Sequence, residues 1–141
     1  MSLFKWSGAH SIYLPEIDAE HRAIYLLGDE LHKALLAGGD PANLKPIAAN
    51  LSETMEEHFR HEERLMRAMH YPSFEWHKRQ HNAARKRSKA LAKRIEGGDA
   101  AAAGELLQFL SIWLRDHMSV ADRMMGAYLR NYLRFNTSLA S

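Results

Sequence analysis

Apolar residues recur at intervals of three and four along most of this chain. The first series runs Ile17, His21, Ile24, Gly28, Leu31, Leu35. That rhythm lays one stripe down a helix. Three further series repeat it: Ala48, Leu51, Met55, His58, Glu62, Leu65, Met69; then Phe74, His77, His81, Ala84, Ser88, Leu91, Ile95; then Ala103, Leu106, Leu110, Trp113, His117, Val120. Gly38-Gly39, Tyr71-Pro72-Ser73 and Gly97-Gly98 punctuate the stripes, as helix ends require. Asn43, Ser73 and Asp99 are the expected N-caps, with Pro46 in the first turn of the second helix, where its missing N–H costs nothing. No strand-like alternation occurs. The pattern predicts an all-α fold: an up-down-up-down four-helix bundle over residues 17–122. An N-terminal arm (1–16) precedes it and a short C-terminal helical tail (123–141) follows, in a single domain of 1–141. The tail keeps a helical spacing (Met125, Tyr128, Leu129, Tyr132, Leu133), which suits a fifth helix packed back on the bundle or a contact in a weak homo-oligomer.

Composition narrows the chemistry. A hydrophobic fraction of 46% in 141 residues is ample for a core. The absence of cysteine excludes disulfides, iron–sulfur clusters and thiolate zinc sites. A net charge of +2 gives no reason to expect nucleic acid as a partner. No run of about 18 apolar residues is present, so no membrane span is expected. The first residues lack the pattern of a signal peptide, so a cytoplasmic location is expected. Nine histidines stand out.

Their placement is the strongest signal. His21 lies on the first stripe, His58 and Glu62 on the second, His77 and His81 on the third, His117 on the fourth. One core histidine is ordinarily a satisfied structural residue. Six inward polar residues are not, since each buried without a partner costs about 1–3 kcal/mol, against a total stability of about 5–15 kcal/mol. A metal centre satisfies them together. Imidazole with carboxylate suits iron, zinc, copper or manganese. Five histidines are too many for one tetrahedral zinc, and suit two metals that share carboxylates. The metalloprotease pattern H-E-x-x-H fails at His61-Glu62, because Leu65 stands where the second histidine belongs. The Glu-x-x-His motifs of ferritin-like di-iron proteins are also absent.

The segments Ile17-Asp18-Ala19-Glu20-His21, His58 to Met66, Tyr71-Pro72, His77-x3-His81 and Trp113-Leu114-x2-His117-Met118-x3-Asp122 together resemble the bacterial hemerythrin-like (bacteriohemerythrin) family. The resemblance runs from about Trp6 to Asp122. It implies two iron ions joined by a hydroxide or oxide, with metal ligands His21, His58, Glu62, His77, His81, His117 and Asp122. His77, His81 and His117 would hold one iron. His21 and His58 would hold the other, which keeps a vacant position where O2 binds. Glu62 and Asp122 would bridge. Asp122 is the ligand that periodicity misses: five residues past His117, it reaches the same centre only if the helix bends, bulges or ends between them.

Reversible O2 binding for transport, storage or delivery is the function this implies. The alternatives are a di-iron enzyme scavenging peroxide or nitric oxide, and an O2 or iron sensor. An enzyme would want a proton donor near the open position, and Tyr13 is the one weak candidate. Trp113 and Val120, one turn either side of His117, are expected to wall the ligand space. Met118 stands where the family usually has Ile, and Val120 where a larger aliphatic is common. His10, His32, His61 and His70 fall off the stripes and are expected at the surface. The basic run Lys78–Arg94 is expected to be a solvated face offset by acids of the second helix.

Overall fold

The structure is a computed structural model that describes residues 4–140, with side chains to residue 136. Four helical stretches form the bundle: α1 (Pro15–Leu36), α2 (Pro41–Ala68), α3 (Phe74–Glu96), and a last one built from α4 (Ala101–Trp113), a π-helical segment (Leu114–Ala121) and α5 (Asp122–Ala140). No strand occurs among the described residues. α1 packs on α2 and α4, α2 on α3, and α3 on α4, the neighbour relations of an up-down-up-down bundle with short links.

The helix ends move slightly from expectation. α1 begins at Pro15 rather than Ile17, because proline at the first position loses no internal hydrogen bond. The N-cap of α2 is Asp40, not Asn43: its carboxylate accepts from the Ala42 N–H at 3.0 Å. Pro46 therefore lies inside the helix rather than in its first turn. α2 ends at Ala68, before His70, and Ser73 at the start of α3 makes no side-chain cap bond. Asp99 does cap its helix, accepting from the Ala101 N–H at 3.1 Å. Gly38, with φ of +119°, closes the end of α1 in a conformation that side chains resist.

Two hydrophobic clusters fill the bundle. The larger includes Ile24, Leu31, Leu51, Met55, Phe59, Leu91, Leu106, Leu110, Leu114 and Met118. The smaller comprises Ile12, Ile17, Met66, Tyr71, Met125 and Leu129. On each helical stretch, the inward polar residues fall between members of the two clusters. The arm is tied down rather than free. Phe4 is buried against Gly28, where any side chain would meet it and Leu110 at about 2.9 Å. Ile12 is buried, and its N–H donates to Asp18 at 2.9 Å. The tail continues the fourth helix and buries Met125 and Leu129, and the Tyr128 hydroxyl donates to the Met69 and His70 carbonyls.

Candidate metal centre

His21 comes from α1, His58 and Glu62 from successive turns of α2, and His77 and His81 from successive turns of α3. His117 comes from the π segment, and Asp122 is the first residue of α5. All seven are at least 97% buried. They converge in two overlapping sets: Glu62, His77, His81, His117, Asp122, and His21, His58, Glu62, Asp122. Within each set one candidate donor atom per residue lies within 4.8 Å of the others.

The two carboxylates divide their oxygens between the sets. Glu62 Oε1 lies 3.0 Å from His81 Nε2 and 3.3 Å from His77 Nε2, while its Oε2 lies 3.1 Å from His58 Nε2 and 3.6 Å from His21 Nε2. Asp122 Oδ1 lies 3.0 Å from both His77 Nε2 and His117 Nε2, and its Oδ2 lies 3.1 Å from His21 Nε2.

Apart from the hydrogen bond between His77 Nε2 and Glu62 Oε1 at 3.3 Å, proximity here leaves most of these atoms unbonded. His21 Nε2, His81 Nε2, His117 Nε2, Glu62 Oε2 and both Asp122 oxygens are buried without a hydrogen-bond partner. Such orphans cost about 1–3 kcal/mol each. Several in one place mark atoms arranged for something that accepts lone pairs from all of them. The donor set fits a borderline metal such as iron.

Three of the opposite ring nitrogens are held from outside, while His77 Nδ1 is buried without a partner. His58 Nδ1 donates to Glu20 Oε1 at 2.8 Å, His81 Nδ1 to Glu63 Oε2 at 2.8 Å, and His117 Nδ1 to Gln80 Oε1 at 2.6 Å. Fixing Nδ1–H leaves Nε2 unprotonated and facing inward in each neutral ring. Arg85 backs Glu63 at 2.8 Å and also binds Glu56 at 2.6 Å. Two rings stack on the cluster: Phe59 on His81 with centroids 4.4 Å apart, and Trp113 on His117 at 3.9 Å.

The electrostatics follow from this crowding. Burial opposes ionisation of Glu62 and Asp122, yet the histidines around them hold both carboxyls well below their usual range. Burial likewise opposes charge on His58, but the Glu62 and Glu20 carboxylates push it up to about 10. Asp122 and Glu62 overcome burial of His77 and push it up to about 9. Burial prevails at His117 and lowers it. Burial raises Glu63, but hydrogen bonds from His81 and Arg85 outweigh it and bring it to about 2.

The five-residue gap between His117 and Asp122 is resolved by the π segment. The Asp122 N–H donates to the His117 carbonyl, an i→i+5 bond. The added residue turns both side chains inward. It also corrects the expectation for Val120, which is rotated outward and 54% exposed, while Met118 and Ala121 are buried in its stead. Tyr13 is 72% exposed, its ring beneath the Arg130 guanidinium, and belongs to no part of the cluster. Two buried phenols flank the site: Tyr25, which with Met118 lines a narrow cleft at His21, and Tyr71, whose ring stands edge-on to His77 with centroids 6.3 Å apart. His61 lies at the edge of the surface, its side chain 19% exposed, and binds Glu20 rather than pointing free into water. His10 and His32 are half-buried as well, against Tyr25 and Phe4 respectively. The basic run is offset by Glu56 and Glu63 of α2, as expected, and also by Glu105 of α4.

The outer partners were not anticipated, yet they share a signature. Glu20 adjoins His21 but serves His58; Gln80 adjoins His81 but serves His117; Glu63 adjoins Glu62 but serves His81. A polar residue next to an inward donor, on the side of the neighbouring helix, is the feature that reveals them.

Comparison with known proteins agrees with this geometry. Residues 14–129 match the model of the hemerythrin HHE cation binding domain. The chain belongs to the hemerythrin family. It is 31% identical to a bacteriohemerythrin of Stenotrophomonas maltophilia (strain R551-3) over 94% of this chain and 86% of that one. It is 27% identical to a bacteriohemerythrin of Ralstonia nicotianae, over 92% and 90%. The crystal structure of a wild-type hemerythrin superposes with a TM-score of 0.81 at 25% identity, covering 89% of this chain and 96% of that one. The hemerythrin match contains all seven clustered residues. Among the described residues, no helix is long and apolar enough to cross a membrane.

Proposed function

We propose that this chain is a non-haem di-iron protein that binds O2 reversibly, for transport, storage or delivery. His77, His81 and His117 would hold one iron, His21 and His58 the other, and Glu62 and Asp122 would bridge them. One observation carries the reading: both buried carboxylates place one oxygen at each of the two histidine sets. One ion has no use for that division.

Iron, when bound, supplies the electrons that make O2 binding reversible. The protein's own residues do the rest. The set containing His21 and His58 has one histidine fewer than the other, so room for a small ligand belongs on that side. Met118 and Tyr25 close over it and keep bulk water away, which protects an oxygenated centre from protons. Glu20, Glu63 and Gln80 hold the imidazoles of His58, His81 and His117 in place.

The test is anaerobic reconstitution with ferrous iron followed by O2 titration. The expected result is two irons per chain and a visible band that disappears when O2 is removed. A single tightly bound zinc and no uptake of iron would overturn the reading. Irreversible oxidation with peroxide turnover would make the protein a scavenger instead.

A further inference from the structure

We infer that His61 is a positioning residue for the metal centre, clamping Glu20 so that Glu20 in turn fixes the imidazole of His58. The inference rests on the metal-binding reading above and adds to it a residue outside the seven.

Glu20 stands on α1, and its two oxygens are gripped by two histidines of α2. Oε1 accepts from His58 Nδ1 at 2.8 Å, and Oε2 accepts from His61 Nδ1 at 2.6 Å. His58 and His61 are three residues apart, so they lie side by side on the same helix face. The other nitrogen of His61, Nε2, lies 3.6 Å from the exposed Glu16. A chain of contacts thus runs from a fully buried imidazole to the protein surface.

The clamp has a physical purpose. The Glu20 side chain is 32% exposed, so a carboxylate held through one oxygen alone could swing toward water. A second bond through the other oxygen fixes the carboxylate plane. With that plane fixed, the His58 ring is held with Nε2 directed at Glu62. His58 sits in the set with fewer histidines, where each ligand's orientation weighs most. His117 and His81 get by without a second histidine: Gln80 is part-buried, and Glu63 is braced by Arg85.

Outer partners of metal-bound histidines are worth about 10–100-fold in metal affinity. Glu20→Ala should show a loss of that size. His61 acts one step further out, so His61→Ala should weaken anaerobic binding of Fe2+ by about 3–10-fold, measured against a chelator. Alanine suits a helix surface, so the metal-free fold should melt as the wild type does. His61→Asn, whose amide N–H stands where Nδ1–H was, should restore the affinity. A second readout needs no metal. In ring-15N-labelled apoprotein the His58 Nδ1–H should give a sharp proton signal in the wild type and in His61→Asn, and exchange-broaden in His61→Ala. Equal iron affinity and an equally sharp His58 signal in His61→Ala would overturn the inference, as would a loss that asparagine fails to restore. Failure of the wild type to take up iron would overturn the metal reading instead, while the His58 signal would still decide whether the clamp exists.

Discussion

At the scale of single residues, the site depends on two carboxylates with no substitutes. Glu62 has oxygens facing both histidine sets. Its replacement by Ala removes a charge that both ions would share, leaving Asp122 as the one buried anion. Iron content should fall from two per chain to one or none by elemental analysis, with far-UV circular dichroism still helical. The residues flanking His117 offer a sharper contrast. Val120 is 54% exposed, so Val120→Ser should change stability by no more than about 0.5 kcal/mol and leave the oxygenated form as long-lived as in the wild type. Met118 is 5% exposed and lines the cleft at His21. Met118→Ala should cost about 2–5 kcal/mol in denaturant titration and hasten irreversible oxidation by admitting water. If the serine variant decays faster than the alanine variant, the wall of the ligand space has been placed on the wrong residue.

The decisive element is the π segment, Leu114–Ala121. Such segments are rare, strain the regular ladder and concentrate at functional sites. Here the segment converts a five-residue spacing into a shared direction for His117 and Asp122. It leaves local bonds altered, among them Ser119 Oγ donating to the Leu114 carbonyl at 3.2 Å. Inserting one alanine after exposed Val120 should lengthen the spacing to six and turn Asp122 by about 100° relative to His117. Such an insertion should leave helicity intact and lower iron content by at least half. Unchanged iron content in the insertion variant would mean that Asp122 is dispensable or that the helix absorbs the extra residue in its bulge.

For the whole molecule, metal and protons compete for the same atoms. In the metal-free protein His58 is pushed up to about 10 and His77 to about 9 by the buried carboxylates. Both are therefore protonated at neutral pH and must lose those protons to become ligands. Calorimetry at pH 7 in buffers of different ionisation enthalpy should show at least two protons released per loaded chain, since His21 is raised as well, and affinity should rise with pH up to about 10. Stability of the metal-free protein follows the opposite course. A histidine raised above its ordinary value of about 6.5 contributes stability that is complete below that value. That stability is lost as pH climbs through the folded value of about 9 to 10. The metal-free melting temperature should accordingly fall between pH 7 and 10, whereas the loaded protein, stabilised by its ions, should hold its melting temperature over that range.

What the sequence determined by itself was local and periodic. Spacing of three and four settles which face of each helix turns inward, so the bundle and the burial of His21, His58, Glu62, His77, His81 and His117 could be read without coordinates. Helix ends were legible to within a few residues, and the competition between Asp40 and Asn43 as cap shows where local rules stop: both are good caps, and only the folded chain reveals which carboxylate or amide meets a free N–H. Tertiary structure decided whatever breaks the period or crosses between helices. Asp122 was recoverable only from the family pattern, because strict helical geometry carries it away from His117, and the bulge that returns it is held by backbone bonds no side-chain pattern encodes. Val120 was misplaced for the same reason, one extra residue having rotated it to the solvent. Glu20, Glu63, Gln80 and His61 fall off the stripes and read as surface residues by period alone, although the first three each adjoin an inward donor. Their roles arise when a neighbouring helix brings an imidazole N–H within about 3 Å, because a hydrogen bond between helices depends on distance and direction in space and leaves no periodic trace along the chain.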